Sequence, residues 1–489
     1  MGKGFRVTMK SFSSEVTGSA LILTIKRPGM PKKKILIDFG GYQERGCDIL
    51  NDKLEFKPTE IDTVIVTHSH FDHIFKLPLL SKYGYMGNIY TSPGASISIP
   101  ISLKDCVKVM QREAEKSNTP MLYTLKDVEE VCNLFTPTQF NYTKEILPGV
   151  KMTLFENGHL YGSSCILLQI SYKKNENLNY FITGDFYLSN ELFNVNPLPK
   201  YLYNLDNLSV VVESTYAGIN SSDVEKNFDK HILGAIQKNH FVLIPSIAQE
   251  RLELILLRLK ALQDCSLLDT SIPIYIHSDL GKEYYNKVYK GREFVDFMPS
   301  NYKFVTMDDY ETVMKSTGHA KILIASSGMA DKGNILRYLP SIVSNKNATI
   351  IFTCYQGKHT LGSRIKNSNI GDLITVNGEK KSLLCFVRNT NQFSHHIKQD
   401  ELLEFLSRFS HIDNIFITHG ETTKKIILKD LLEKTFPYTK VFVLDRTVGY
   451  RVSKDNVSAF ETKLPEPQYY KSLPDKKVLK RPVKKKPKK

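Results

Sequence analysis

The chain has 489 residues, 41% hydrophobic and 24% charged. That fits about two to four globular domains and excludes a small scaffold that must be stapled by disulfides. Lys and Arg number 66 against 51 Asp and Glu, a net charge of +15, but residues 471–489, with ten basic residues and one acid, Asp475, carry +9 of it, so the body is only mildly basic and the balance suits a polyanionic partner.

In chain order, short runs rich in Val, Ile, Leu, Phe and Tyr predict strands over 20–25, 34–39, 63–67, 89–91, 152–155, 165–170 and 179–183. Helices are predicted over 102–117 and 125–133. Near residue 220 the rhythm changes. A helix over 223–238 is followed by a buried strand over 241–245 and by Leu and Ile at helical spacing over 249–262. Strands over 273–277, 321–325 and 349–353 come next, with a helix over 332–339 between them. Strands alternating with helices imply parallel α/β topology. The theme returns as helix 400–409, strand 414–418, helix 423–436 and strand 440–444. From about Pro465, Pro and Lys dominate and disorder is predicted.

Seven cysteines, at 47, 106, 132, 165, 265, 354 and 385, form no CxxC pair. The N-terminus has no apolar signal core, and no apolar run nears the ~20 residues of a membrane span. The expectation is a soluble, reduced, cytoplasmic protein with no membrane partner. The basic segment 480–489 offers a nuclear alternative, as an import signal. Trp is absent, so any base stacking must come from Tyr, Phe, His or Arg.

The strongest local signal is Thr67-His68-Ser69-His70-Phe71-Asp72-His73, directly after the apolar run Val64-Ile65-Val66. Three imidazoles and a carboxylate within six residues are hard to explain as core, because buried ionisable groups need partners. Neutral imidazole and carboxylate are good zinc ligands. His68 and His70, two apart, point the same way if the strand geometry persists; Asp72 and His73 lie past a turn and can reach a second ion. Further candidates stand where other apolar strands end: His159 after Gly158, Asp185 after Gly184, and His419 before Gly420-Glu421. Asp185 is the natural carboxylate to bridge two cations. A Gly-His or Gly-Asp pair alone marks only a turn; with the first cluster they complete two ions.

In this order, His68-x-His70-x-Asp72-His73, His159, Asp185 and His419 resemble the metallo-β-lactamase fold. Further motifs resemble its β-CASP branch, the nucleases that include RNase J and the mRNA 3′-end cleavage endonuclease. Glu15-Val16-Thr17-Gly18-Ser19 opens the similarity, and Asp38-Phe39-Gly40-Gly41 is similar to the early Asp-x-Gly strand end. Gly158 to Ser163 resembles the third motif, Glu213-Ser214-Thr215-Tyr216 motif A, Phe393-Ser394-His395-His396 motif B, and His419-Gly420-Glu421 motif C. Ser326 to Met329, and Tyr355-Gln356 with Thr360-Leu361-Gly362, resemble segments of the inserted cassette. The resemblance implies an αββα sandwich over 1–215 and 388–460, a β-CASP domain over 216–387, and a basic tail over 461–489. It implies two Zn²⁺, one on His68, His70 and His159 and one on Asp72, His73 and His419, bridged by Asp185. Catalytic roles fall on Asp72, on His396 as general acid and on Glu213 as its orienting carboxylate; Ser394 and Lys398 are candidates for binding substrate.

The chain departs from the pattern at Phe75, Lys332 and His359, each where Gly is usual, and at Lys398, where Asp is usual. Around Arg251, the usual Arg-x-Gln-Glu reads Arg251-Leu252-Glu253-Leu254. The function implied is a zinc-dependent ribonuclease, endonucleolytic or 5′-to-3′ exonucleolytic, using two-metal hydroxide attack. RNA is expected over DNA because the DNA-directed relatives lack the motif C histidine, present as His419. The alternatives are a DNA nuclease or other hydrolase on the same scaffold, and a non-catalytic RNA-binding subunit. Beyond RNA, a homodimer or subunits of a processing complex are the partner classes left open.

Overall fold

The computed structural model describes residues 4–13, 15–43, 48–292, 294–315, 319–462 and 468–469. The predicted disorder from Pro465 falls largely outside these residues, and the +9 segment 471–489 falls wholly outside. Three sheets carry the fold. The first has eight strands in the order Val457–Glu461, Val448–Val452, Arg6–Ser11, Leu21–Lys26, Lys33–Ile37, Thr63–Ile65, Ile89–Thr91 and Phe135–Pro137. The second has seven, in the order Lys440–Val443, Asn414–Ile417, Leu208–Val212, Glu176–Ile182, Ser164–Lys173, Val150–Glu156 and Thr143–Leu147.

The period-two side-chain alternation of strands assigns the layers. Leu21, Leu23 and Ile25 face Met152, Leu154, Ile166, Leu168 and Tyr180 in one core between the two sheets. Their neighbours Ala20, Ile22 and Leu36 turn outward, under the helices Pro93–Ser117, Leu77–Lys82 and Leu125–Cys132. On the far side, Phe155, Cys165, Leu167 and Phe181 meet the helices Gln399–Ser407 and Thr422–Thr435. This is the αββα sandwich that the resemblance implied.

The third sheet has six strands, in the order Tyr302–Phe304, Ile274–His277, Lys321–Ala325, Phe241–Pro245, Ala348–Phe352 and Phe386–Asn389. Every pairing in it is parallel. Both faces are buried: Val242, Ile244, Ile322 and Ile324 on one, Phe241, Leu243, Leu323 and Ala325 on the other. Near-continuous apolar runs such as Phe241–Pro245 are what a sheet covered on both faces requires. The strand Phe386–Asn389 runs past the expected boundary at 387.

Several elements differ from the expectations. The helix expected over 102–117 runs over Pro93–Ser117, capped by Ser92, whose side chain accepts from the Ala95 N–H. Pro100 sits inside it, where a ring removes one donor and masks the helical start in the sequence. The helix expected over 332–339 is a 3₁₀ turn, Asn334–Arg337, followed by Leu339–Val343; Gly333, at a φ of 80°, precedes the turn. The helix expected over 223–238 is a 3₁₀ turn at Ser221–Asp223 and then Phe228–Gln237.

Candidate metal centre

The predicted ligands meet where strands of the two sandwich sheets end. Thr63–Ile65 leads into the loop of His68 and His70 and the short helix Phe71–Ile74 with Asp72 and His73. Val150–Glu156 leads to His159, Glu176–Ile182 to Asp185, and Asn414–Ile417 to His419. His68, His70, His159 and Asp185 form one group, and Asp72, His73, Asp185 and His419 a second; within each, the ligand atoms lie within 4.8 Å of one another. Asp185 divides its oxygens. Oδ2 lies 3.7 Å from Nε2 of both His68 and His159, and Oδ1 lies 3.4 Å from Nε2 of both His73 and His419. Asp72 Oδ2 is 3.3 Å from His419 Nε2.

The far ring nitrogens are held by neighbours, as metal-binding imidazoles require. His68 Nδ1 lies 3.0 Å from Thr67 Oγ1, His73 Nδ1 2.8 Å from Asp38 Oδ2, His159 Nδ1 2.7 Å from the His395 carbonyl, and His419 Nδ1 3.1 Å from Thr215 Oγ1. His159 Nε2 lies 3.1 Å from His70 Nδ1, but three of the near atoms lack partners: His68 Nε2, His73 Nε2 and Asp185 Oδ1 are buried with no hydrogen bond. Buried polar atoms are rarely left so, and converging orphans of this kind fit a cation. Burial holds His68 and His159 well below the usual histidine range and His70 at about 4, so these imidazoles are neutral and ready to donate lone pairs. Burial also works against charge on His73, but Asp185, Asp38 and Asp72 outweigh it and raise that ring well above its usual range. Excess carboxylate around the second group is the setting a divalent cation would neutralise.

Close approach of backbone makes this possible. A Cβ on Gly40 would stand 1.5 Å from the Asp72 carbonyl oxygen and 2.7 Å from the His73 nitrogen. Gly184, at a φ of 60°, turns the chain into Asp185.

Beside the second group, His396 and Glu213 come together with His419. Glu213, 1% exposed, accepts at Oε2 from His396 Nδ1 at 2.7 Å and at Oε1 from the Phe186 N–H at 2.7 Å. Motifs A and B, 183 positions apart in sequence, are thus one unit. The His396 side chain keeps 18% of its surface, enough to meet a substrate.

Lys398 is placed otherwise than expected. Its Nζ donates to the carbonyls of His396 at 2.7 Å and Ser394 at 3.3 Å, and lies 4.3 Å from the Tyr216 ring centroid. At 4% exposure it is neither a solvated lysine nor open to phosphate; it braces the loop that carries His396. Ser394 lies buried on that loop. The Gln-Glu pair sought after Arg251 stands before it, as Gln249-Glu250, with Ile247 in the arginine's place. His359 keeps a φ of 75°, the conformation that makes Gly usual there. Phe75 packs on Phe71 and Tyr123, with centroids 4.4 and 5.5 Å away. Lys332 pairs with Glu113 at 3.0 Å. The sequence reading gave no role to Asp38, Thr67, Thr215 or Asn190; Asp38 and Thr215 lay inside recognised motifs, but which imidazole each would reach had no local signal.

Three family profiles match the chain: the metallo-beta-lactamase superfamily over 29–174, the Beta-Casp domain over 251–365 and the Zn-dependent metallo-hydrolase RNA specificity domain over 383–444. Among curated relatives, the transcription termination factor FttA of Methanococcus maripaludis is 27% identical over 83% of this chain and 66% of its own length. That of a Lokiarchaeum species is 27% identical over 78% and 61%, and that of Methanosarcina mazei 25% over 85% and 67%. The chain spans less than two thirds of the length of the first two. With a sandwich, an inserted parallel sheet and these matches in one order, the chain carries a metallo-beta-lactamase domain, a Beta-Casp domain and an RNA specificity domain.

Proposed function

We propose that the protein is a zinc-dependent ribonuclease that hydrolyses RNA phosphodiester bonds. Two zinc ions would be held by His68, His70 and His159 and by Asp72, His73 and His419, with Asp185 shared. The observation that carries this reading is the pair of ligand groups meeting at Asp185 with the His396–Glu213 pair beside them. When bound, the ions supply positive charge for the phosphate and a water-derived nucleophile near neutral pH. The chain's own part is positioning and proton transfer. Glu213 accepts from His396 Nδ1 and turns Nε2 outward, where it can hold a proton for the departing oxygen. Lys398 fixes the loop behind it.

RNA is favoured by the match to an RNA specificity domain over 383–444, which contains Ser394, His396 and His419. The full set of ligands speaks for catalysis over binding alone. The decisive experiment measures bound zinc and cleavage of labelled RNA and DNA by the full chain and by Asp185→Ala. The expected result is RNA cleavage by the wild type and its near-complete loss, with altered zinc content, in the variant. A wild type with two zincs that leaves RNA intact would sink the reading. A second reading rests on the relatives' name: a role in ending transcription. Its test is in vitro transcription with wild type and Asp185→Ala, scored for shortened transcripts.

A further inference from the structure

Two consecutive residues of the inserted domain reach across to the sandwich. Gln249 and Glu250 lie in the turn between the strand Phe241–Pro245 and the helix Arg251–Asp264. Both are buried, and Glu250 is held at a φ of 67°, a conformation costly for a residue with a Cβ. Gln249 Nε2 donates to Ser69 Oγ at 2.6 Å, and Ser69, fully buried, stands between His68 and His70. Glu250 Oε1 lies 3.1 Å from His395 Nδ1 and also accepts from Asn190 Nδ2. From there both paths end at one ligand. The His395 carbonyl accepts from His159 Nδ1 at 2.7 Å, and Asn190 Nδ2 donates to the Gly158 carbonyl at 2.9 Å. Glu191 holds the other side of the His395 ring, at 2.7 Å from Nε2.

The second ligand group is held differently. Its supporting groups, Asp38 on His73 and Thr215 on His419, both belong to the sandwich. Among the described residues, no side chain of the inserted domain hydrogen-bonds to Asp72, His73, His419, Asp38 or Thr215. The inserted domain comes near through Tyr355, whose hydroxyl donates to Glu421 at 3.1 Å, two residues past His419.

We infer that Gln249 and Glu250 are positioning residues that make one metal position, that of His68, His70 and His159, depend on how the inserted domain is seated. The position of Asp72, His73 and His419 is set by the sandwich alone. The inference rests on the two-metal reading but not on the identity of the substrate. It gives the centre an asymmetry: a shift of the inserted domain loosens one ion and spares the other.

The test is zinc titration of the full chain against a chromophoric chelator, with bound metal counted by elemental analysis. Wild type should bind two ions. Gln249→Ala with Glu250→Ala should weaken one of them about 10–100-fold, the usual effect of removing groups that hold metal ligands, and leave the other unchanged. In a His419→Ala background the remaining ion should weaken on adding the pair of changes; in a His159→Ala background it should not. Ser69→Ala removes the Gln249 bond from the sandwich side. It should reproduce the shift of Gln249→Ala and add little to it in combination, which separates a lost bond from a damaged fold. Equal weakening of both ions, or of neither, overturns the inference. A wild type holding fewer than two ions overturns it together with the two-metal reading. A wild type with two ions and the predicted asymmetry, but no cleavage of RNA, leaves it standing while the proposed function fails.

Discussion

At the scale of single residues, the buried carboxylates play opposite parts. Asp185 is ionised, its carboxyl held well below the usual range despite burial by His419, His73 and His68. Glu253 is 1% exposed with no hydrogen-bond partner at either oxygen, and burial, with the Glu250 carboxylate nearby, pushes its carboxyl well above the usual range. Unfolded, such a group ionises near pH 4.3. Above that pH the folded state therefore holds a proton that the unfolded state has lost, and stability falls as pH rises. Glu253→Gln should match wild type near pH 4 and melt at higher temperature at pH 7; thermal unfolding from pH 4 to 8 checks it, and a variant less stable at pH 7 would contradict it. His396→Ala should keep both metals and slow RNA cleavage by ~10²–10⁴ under single-turnover conditions. A substrate with a good leaving group should recover part of the loss. Loss of metal instead would make His396 a ligand. Much of the centre was legible because its ligands come in dense local patterns, His68 to His73 above all. The groups that orient them were not, since Thr215 and Asn190 act on imidazoles and carbonyls brought near only by folding.

At the scale of elements, the alternation of Leu21, Leu23 and Ile25 against Ala20 and Ile22 announces which layer each side chain enters. Strands with weak burial contrast leave little trace: Thr143–Leu147 and Val457–Glu461 lie at sheet ends, and of their side chains only Ile146 is buried. Helix limits fail where Pro interrupts, as at Pro100. The turn at Gly40 tests how tightly the elements bearing the ligands are joined. The loop of Asp72 and His73 is tied to it by the Ser19 N–H on the Asp72 carbonyl at 2.8 Å and the Phe39 N–H on the His73 carbonyl at 2.8 Å. Gly40→Ala has no free space, so the loop must move; the expected cost is about 1–3 kcal/mol, as for overpacked cores, with weaker metal binding. Gly234, within the helix Phe228–Gln237, has open space around a Cβ. Gly234→Ala should instead stabilise by about 0.5–1 kcal/mol. Denaturant unfolding of the two variants should move in opposite directions.

At the scale of the whole molecule, charge and chemistry are kept apart. The ligands and the His396–Glu213 pair lie within residues 68–419, whereas +9 of the net +15 lies in residues 471–489. That segment, with Pro at 474, 482 and 487, lies outside the described residues. For the proposed ribonuclease, a segment of this charge would bind RNA phosphates by releasing their counterions, which makes affinity fall with salt by about 0.7 in log–log slope per phosphate neutralised on a single strand. Removing 471–489 should therefore weaken RNA binding at low salt and flatten the salt dependence. Cleavage at saturating RNA should stay near the wild-type rate, because the groups that would do the chemistry are untouched. The measurement is binding of full-length and truncated protein to one labelled RNA across a salt series, with single-turnover cleavage alongside. Superimposable salt curves would exclude RNA capture by this segment and leave it to solubility or import.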